Sequence, residues 1–315
     1  MRIAILDDIH DAWAGTEGVK RLRERADVRI YTGPFGAPEA LRGFDALVAN
    51  RERTRFDAAM LASLPDVRII AQTGNHAYHI DLAAAEARGV VVAKAAGGFS
   101  NGAAELAFGL AMAVMRRIPA SDAAMKRGEW ATPMTSVLHG KTLGIVGLGR
   151  IGRHVAGIAR AFGMRVIAWS RRLDDATAAA AGVERRDLDA LLVESDVVSI
   201  HATLSAESRG LIDARRLALM KRSAVLVNTA RGPIVDEAAL VAALAAGRIA
   251  GAGLDVFDVE PLPAGHRLAA LPNVVLTPHL GWPTDEAYER FAESAADVLI
   301  AYAEGRDVPR FEAGR

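Results

Sequence analysis

Short runs rich in β-branched residues alternate with Ala/Leu-rich stretches along nearly the whole chain. That alternation is restrictive. Strands joined by helix-length crossovers pair in parallel, and the crossover helices cover both faces of the resulting sheet. The first series of strands is predicted at residues 2–6, 28–31, 46–49, 67–72 and 90–93, forming one open sheet. A long helix over 101–117 and an irregular stretch through Pro133 to Gly140 follow. A second series is predicted at 142–147, 165–169, 197–201, 224–228, 251–255 and 274–277. One further helix, 285–302, leads to a polar tail.

The 315 residues suffice for two cores of ordinary size, and a hydrophobic content of 51% is too high for disorder. Basic and acidic side chains balance at 38 each, so neither nucleic acid nor an anionic membrane is expected as a partner. The chain has no cysteine, which removes disulfides, thiolate metal sites and a cysteine nucleophile together. The histidines show no metal-ligand spacing, and no metal is expected. Residues 1–8 read as a strand ending in acids and not as a leader peptide, and no run is long and apolar enough to span a bilayer. A cytoplasmic location is the expectation.

Leu143-Gly144-Ile145-Val146 runs straight into Gly147-Leu148-Gly149-Arg150-Ile151-Gly152, and a helical stretch follows. Glycines between a strand and a helix permit a tight turn and let the backbone approach a pyrophosphate, with the helix N-terminus supplying free N–H groups. The expected architecture is therefore α/β, with two doubly wound parallel-sheet domains. A Rossmann dinucleotide-binding domain over 100–283 is inserted into a flavodoxin-like substrate domain made of 1–99 and 284–315. The end of the next strand bears on which dinucleotide binds. A carboxylate there would meet the ribose 2′-hydroxyl of NAD, but the chain carries Ser170-Arg171-Arg172. Two guanidiniums suit a 2′-phosphate, which favours NADP over NAD. The competing reading is a pair of solvated arginines balanced by the nearby Asp174 and Asp175.

Three ionisable groups fall just beyond the last three strands of the second series: Arg231, Glu260 and His279. In an open parallel sheet ligands bind outside the carboxyl ends of strands. Together the three groups match what reduction of a 2-oxo acid requires. The arginine binds the substrate carboxylate and polarises the carbonyl, the imidazolium donates the proton, and the carboxylate orients the imidazole and favours its charged form. Taken singly, Arg231 could pair with Asp236, Glu260 could be a surface acid, and His279 a loop histidine. Their joint position beside a dinucleotide turn argues for catalysis. Trp282, three residues past His279, would wall the space beyond the substrate carbonyl, or serve packing alone.

The chain resembles the D-isomer-specific 2-hydroxyacid dehydrogenases over essentially its full length. The likeness rests on Gly147 to Gly152, Val227-Asn228-Thr229-Ala230-Arg231-Gly232, Gly253-Leu254-Asp255-Val256-Phe257 and Thr277-Pro278-His279-Leu280-Gly281. It implies Arg231, Glu260 and His279 as the catalytic set and Asp255 as a partner for the nicotinamide carboxamide. It further implies pyrophosphate contacts from Arg150 and Ile151, cofactor contacts near His201, Thr229 and Ala230, and a homodimer formed through about residues 101–140. In the family a loop of the first domain holds the substrate carboxylate with backbone amides. Here it reads Thr73-Gly74-Asn75-His76-Ala77-Tyr78, departing from the pattern at His76 and Tyr78, and the implied contacts are Asn75 and His76. Arg51 matches a position that in some relatives contacts an acidic substrate, or else is a solvated arginine beside Glu52. Some relatives of this kind are dinucleotide-sensing corepressors that bind protein partners. The complete catalytic set, and the absence of long flanking extensions, point instead to an enzyme acting on a small 2-oxo or 2-hydroxy acid such as glyoxylate or hydroxypyruvate.

Overall fold

A computed structural model describes residues 1–74, 76–97 and 100–313. The chain divides into two compact units, Met1–Phe99 with Pro283–Arg315, and Ser100–Trp282. In the first unit β1 (Arg2–Ile5), α1 (Glu17–Arg23), β2 (Asp27–Ile30), β3 (Ala46–Ala49), α2 (Ala58–Ala62), β4 (Ile69–Thr73), α3 (Leu82–Ala87) and β5 (Val91–Ala95) follow in order. The five strands are all parallel in the order β2-β1-β3-β4-β5. Every residue of β3 and β4 is buried, as expected for central strands covered on both faces. Leu6, Phe44, Leu47, Phe56 and Ile70 make part of its core.

The second unit begins with α4 (Asn101–Met115) and α5 (Ile118–Lys126), then builds β6 (Thr142–Val146), α6 (Arg150–Ala161), β7 (Arg165–Trp169), α7 (Asp175–Ala180), β8 (Glu184–Arg185), α8 (Leu188–Glu194), β9 (Val197–Ile200), α9 (Ala214–Leu217), β10 (Val225–Asn228), α10 (Glu237–Ala245), β11 (Gly251–Leu254) and β12 (Val274–Leu276). Its parallel sheet has the order β12-β11-β10-β9-β6-β7-β8. The order reverses at β6, which lies between β7 and β9, so the crevice for a ligand opens at the carboxyl end of β6. The chain then returns to the first unit with α11 (Asp285–Ala303), whose first turn is capped by Thr284 Oγ1 accepting from Ala287 N at 3.2 Å. Among the described residues no helix is long and apolar enough to cross a membrane.

Two elements depart from expectation. The predicted single helix over 101–117 stops at Met115, because Arg117 adopts a left-handed backbone (φ +52°) and Pro119 opens a new helix, α5, inside the stretch expected to be irregular. The second sheet has a seventh strand, β8, of two charged and exposed residues. So short an edge strand has no apolar alternation to reveal it.

Candidate active site

The glycine turn leaves β6 through Gly147, whose φ of +105° suits glycine, and a Cβ there would stand 2.5 Å from Ala202 N and 2.6 Å from His201 C. A Cβ on Gly152 would stand 2.4 Å from Gly147 O, so α6 packs tightly against the turn. Around Gly149, by contrast, a Cβ would meet no heavy atom within 4 Å. Gly149 is also the N-cap of α6, and with no side chain it gives the amides of the first turn no side-chain cap. Open space, uncapped donors and the positive end of a helix suit a pyrophosphate, which Arg150 and Ile151 would hold by their N–H groups. Across the crevice Thr229 Oγ1, buried at the end of β10, has no hydrogen-bond partner among the described residues, so a donor–acceptor is left for a ligand. The residues present thus fit a dinucleotide.

The flanks of this crevice are ordered by side-chain hydrogen bonds. Ser170 Oγ accepts from Leu148 N at 2.6 Å and ties the end of β7 to the glycine turn. His201 pairs through Nε2 with Ser199 Oγ at 2.8 Å, and burial of the ring pushes its pKa down to about 4, so it is neutral near pH 7. Asn228, buried at the end of β10, accepts from Ala230 N (3.0 Å) and donates to Arg231 O (3.0 Å), fixing the turn that presents Ala230 and Arg231. Asn228 lies within the Val227 to Gly232 motif, where the sequence assigns it no contact of its own. An Asn at a strand end is the signal for such a turn.

Arg231, Glu260 and His279 follow β10, β11 and β12, three neighbouring parallel strands, and so emerge at one end of the sheet. His279 Nδ1 meets Glu260 Oε2 at 2.7 Å, and the two side chains are 32% and 35% exposed, enough for a ligand to reach the pair. Glu260 Oε1 accepts from Phe257 N at 2.9 Å. Burial acts to raise the Glu260 carboxyl, but the hydrogen bonds from His279 and Phe257, with the charges of His279 and Arg231, outweigh it and leave the carboxyl below its ordinary value. Gly232 brings the first two loops together, since a Cβ on it would lie 2.1 Å from Phe257 C. Arg231 Nη1 donates to Ala230 O at 2.7 Å, while Asp236 caps α10 by accepting from Ala239 N.

His279 is itself left-handed (φ +57°), a costly backbone for a residue with a side chain, on the order of 1–3 kcal/mol. Asp255 supports it. The fully buried carboxylate accepts from Thr277 Oγ1 (2.6 Å), Leu280 N (2.7 Å) and Gly281 N (2.9 Å), and Asp255 O accepts from His279 N (2.9 Å). Burial raises the Asp255 carboxyl despite these donors. Thr277, whose hydroxyl has this role, carries no signal for it in the sequence.

Arg171 and Arg172 are exposed at the end of β7, and among the described residues the pairing with Asp174 and Asp175 that the competing reading names does not form. Asp174 caps α7, Asp175 lies 3.8 Å from Arg185, and Arg171 pairs with Glu207 at 3.2 Å. Asp174 faces the helix because its side chain accepts from Thr177 N. Arg51 belongs to the first unit. It is left-handed (φ +61°), 17% exposed, and lies 3.5 Å from Glu52, the neighbour that the competing reading names. His76 is half-buried with its ring 6.0 Å from that of Tyr78, Trp282 is half-buried in the second unit, and Asn75 lies outside the described residues. Among the described residues no group of three or more His, Asp or Glu is arranged to hold a metal ion.

The family model described as "D-isomer specific 2-hydroxyacid dehydrogenase, NAD binding domain" matches residues 108–281. The chain is 40% identical over 306 residues to a glyoxylate reductase of Thermococcus litoralis, covering 93% of this chain and 92% of that one. Among solved structures, a phosphoglycerate oxidoreductase from Vibrio cholerae superposes with a TM-score of 0.86 at 33% identity, covering 97% of this chain and 99% of that one. An acyclic imino acid reductase in complex with NADPH and D-Arg superposes with a TM-score of 0.80 at 27% identity, covering 99% and 100%.

Proposed function

The chain belongs to the D-isomer-specific 2-hydroxyacid dehydrogenase family and is a nicotinamide-dependent oxidoreductase, and we propose that it interconverts a small 2-oxo acid of the glyoxylate or hydroxypyruvate kind with its D-2-hydroxy acid, preferring NADPH to NADH. The observation that carries this reading is the 2.7 Å pair of His279 and Glu260 beside Arg231 on adjacent strand ends. A bound dinucleotide would supply or accept the hydride at the substrate's C2. Arg231 binds the substrate carboxylate and draws charge onto the C2 oxygen. With Nδ1 engaged by Glu260, His279 has Nε2 left to give its proton to that oxygen in reduction and to take it back in oxidation. Glu260 holds the ring in that orientation and stays ionised beside the imidazolium.

The proposed cofactor contacts are the turn Gly147, Gly149, Arg150, Ile151 and Gly152, with Ser170, Arg171 and Arg172 at the adenosine ribose and His201, Thr229 and Ala230 along the crevice. Asp255, directly after β11, would meet the nicotinamide carboxamide. Residues 100–283 would be the dinucleotide domain, and 1–99 with 284–315 the substrate domain, from which Arg51, Asn75 and His76 would contact the substrate. Trp282 would bound the substrate's far side. A homodimer in the cytoplasm is the proposed working form. The glyoxylate reductase supports the substrate class, and the NADPH-bound reductase supports a fold able to accept the phosphorylated cofactor. Steady-state assays with NADPH and NADH against glyoxylate, hydroxypyruvate, pyruvate and phenylpyruvate test the reading. Turnover of glyoxylate or hydroxypyruvate with a lower KM for NADPH is expected. Turnover of neither, or a lower KM for NADH, overturns the corresponding part.

A further inference from the structure

Arg171 and Glu207 stand on opposite sides of the crevice. Arg171 comes two residues after β7 and Glu207 lies in the loop after β9, and β7 and β9 flank β6 on its two sides. Their ion pair, Nη1 to Oε2 at 3.2 Å, therefore spans the carboxyl end of β6 above the glycine turn. Glu207 is held in place for this contact. Its Oε2 also accepts from Ser205 Oγ at 2.6 Å, and that serine lies in a loop braced by Ser208, which accepts from Ser205 N (2.7 Å) and donates to Thr203 O (2.7 Å). On the other bank, Ser170 anchors the base of Arg171 to Leu148 N. The pair is thus built between two braced loops, yet both side chains remain well exposed, at 62% and 67%, so a ligand can exchange for either partner.

We propose that Glu207 is a specificity-determining residue for the cofactor, acting through Arg171 as a competitor for the 2′-phosphate. The proposal rests on the reading of Arg171 as a ligand of that phosphate. A guanidinium whose Nη1 is engaged by a carboxylate offers less net charge and fewer free donors to a phosphate, and the carboxylate left nearby repels that phosphate. Both effects weaken NADPH. Neither touches NADH, whose ribose carries no charge there, and for which the pair keeps Arg171 neutralised. Glu207 accordingly tempers the NADPH preference that Ser170-Arg171-Arg172 creates and keeps NADH usable.

Fluorescence titration of the full chain with NADPH and with NADH tests this in Glu207→Gln, Arg171→Ala and the double variant. Glu207→Gln should tighten NADPH about twofold to fivefold, the range an exposed ion pair is worth, and leave NADH unchanged. In the Arg171→Ala background the same change should tighten NADPH clearly less, because the competition has lost its object and only the repulsion between carboxylate and phosphate is left to relieve. Tightening of equal size in that background would show that Glu207 acts on the phosphate directly, and would overturn the clasp. So would weaker NADPH binding in Glu207→Gln, which would make the glutamate a brace for Arg171. If Arg171→Ala lowers the NADPH preference while Glu207→Gln changes nothing, the clasp alone fails. If Arg171→Ala leaves the preference as it was, the phosphate-ligand reading fails and the clasp with it.

Discussion

His279 combines a left-handed backbone, an anionic partner on Nδ1 and a buried carboxylate under its turn. Such investment in one imidazole suits a group that must present Nε2 in a fixed direction. His279→Ala should lower turnover by about 10²–10⁴, the worth of a general acid, with NAD(P)H affinity retained, as separate turnover and binding measurements will show. For Glu260 the sign follows from its depressed carboxyl. The group is ionised across the neutral range, and its support for the imidazolium is present above the ordinary carboxylate range and lost only as pH falls through the lowered value. Glu260→Gln removes the anion at every pH, so the acid limb of the kcat/KM profile, which follows protonation of this carboxyl, should be lost or displaced. An unmoved limb would detach Glu260 from His279 in the working enzyme. Trp282→Ala should improve phenylpyruvate relative to glyoxylate by about tenfold or more, the scale of apolar pocket contacts, whereas a uniform loss with a lowered Tm would leave the indole a packing role only.

The strand-end loops work as a set. Gly232 has no room for a side chain, because the loop carrying Arg231 presses on the backbone of the loop carrying Glu260. Gly232→Ala should therefore cost about 1–3 kcal/mol of stability and reduce kcat together, since relief of the clash must separate the two loops. Thermal unfolding and steady-state kinetics on one preparation check both halves. The elements that resisted sequence reading fail for local reasons. α5 hid behind a positive φ at Arg117, which no residue type announces, and β8 is a charged two-residue edge whose pairing with β7 is a product of the sheet. The long, buried, β-branched strands were legible because burial on both faces leaves an apolar run in the chain itself.

Over the whole molecule, large apolar side chains stay exposed on one segment of the second unit: Ile118, Met125, Trp130 (81%), Met134 (92%) and Val137. A monomer rarely leaves so many together, and the proposed homodimer would cover them. Replacing Trp130 and Met134 with Asp should shift the sedimentation coefficient from dimer to monomer while leaving the far-ultraviolet spectrum unchanged. An unaltered coefficient would place the subunit contact elsewhere. The sequence by itself determined the alternation of strands and helices, the glycine turn and the three strand-end groups, because these depend on residue type at short spacing. Only the tertiary structure decided that Glu260 faces His279, that Asp255 and Thr277 shape the turn beneath the imidazole, and that Arg171 is engaged by Glu207 and not by its acidic neighbours. Those pairings join residues that are distant along the chain or lie on different loops. They are set by strand order, loop approach and the demand of each buried polar group for a partner, none of which has a signature in local sequence.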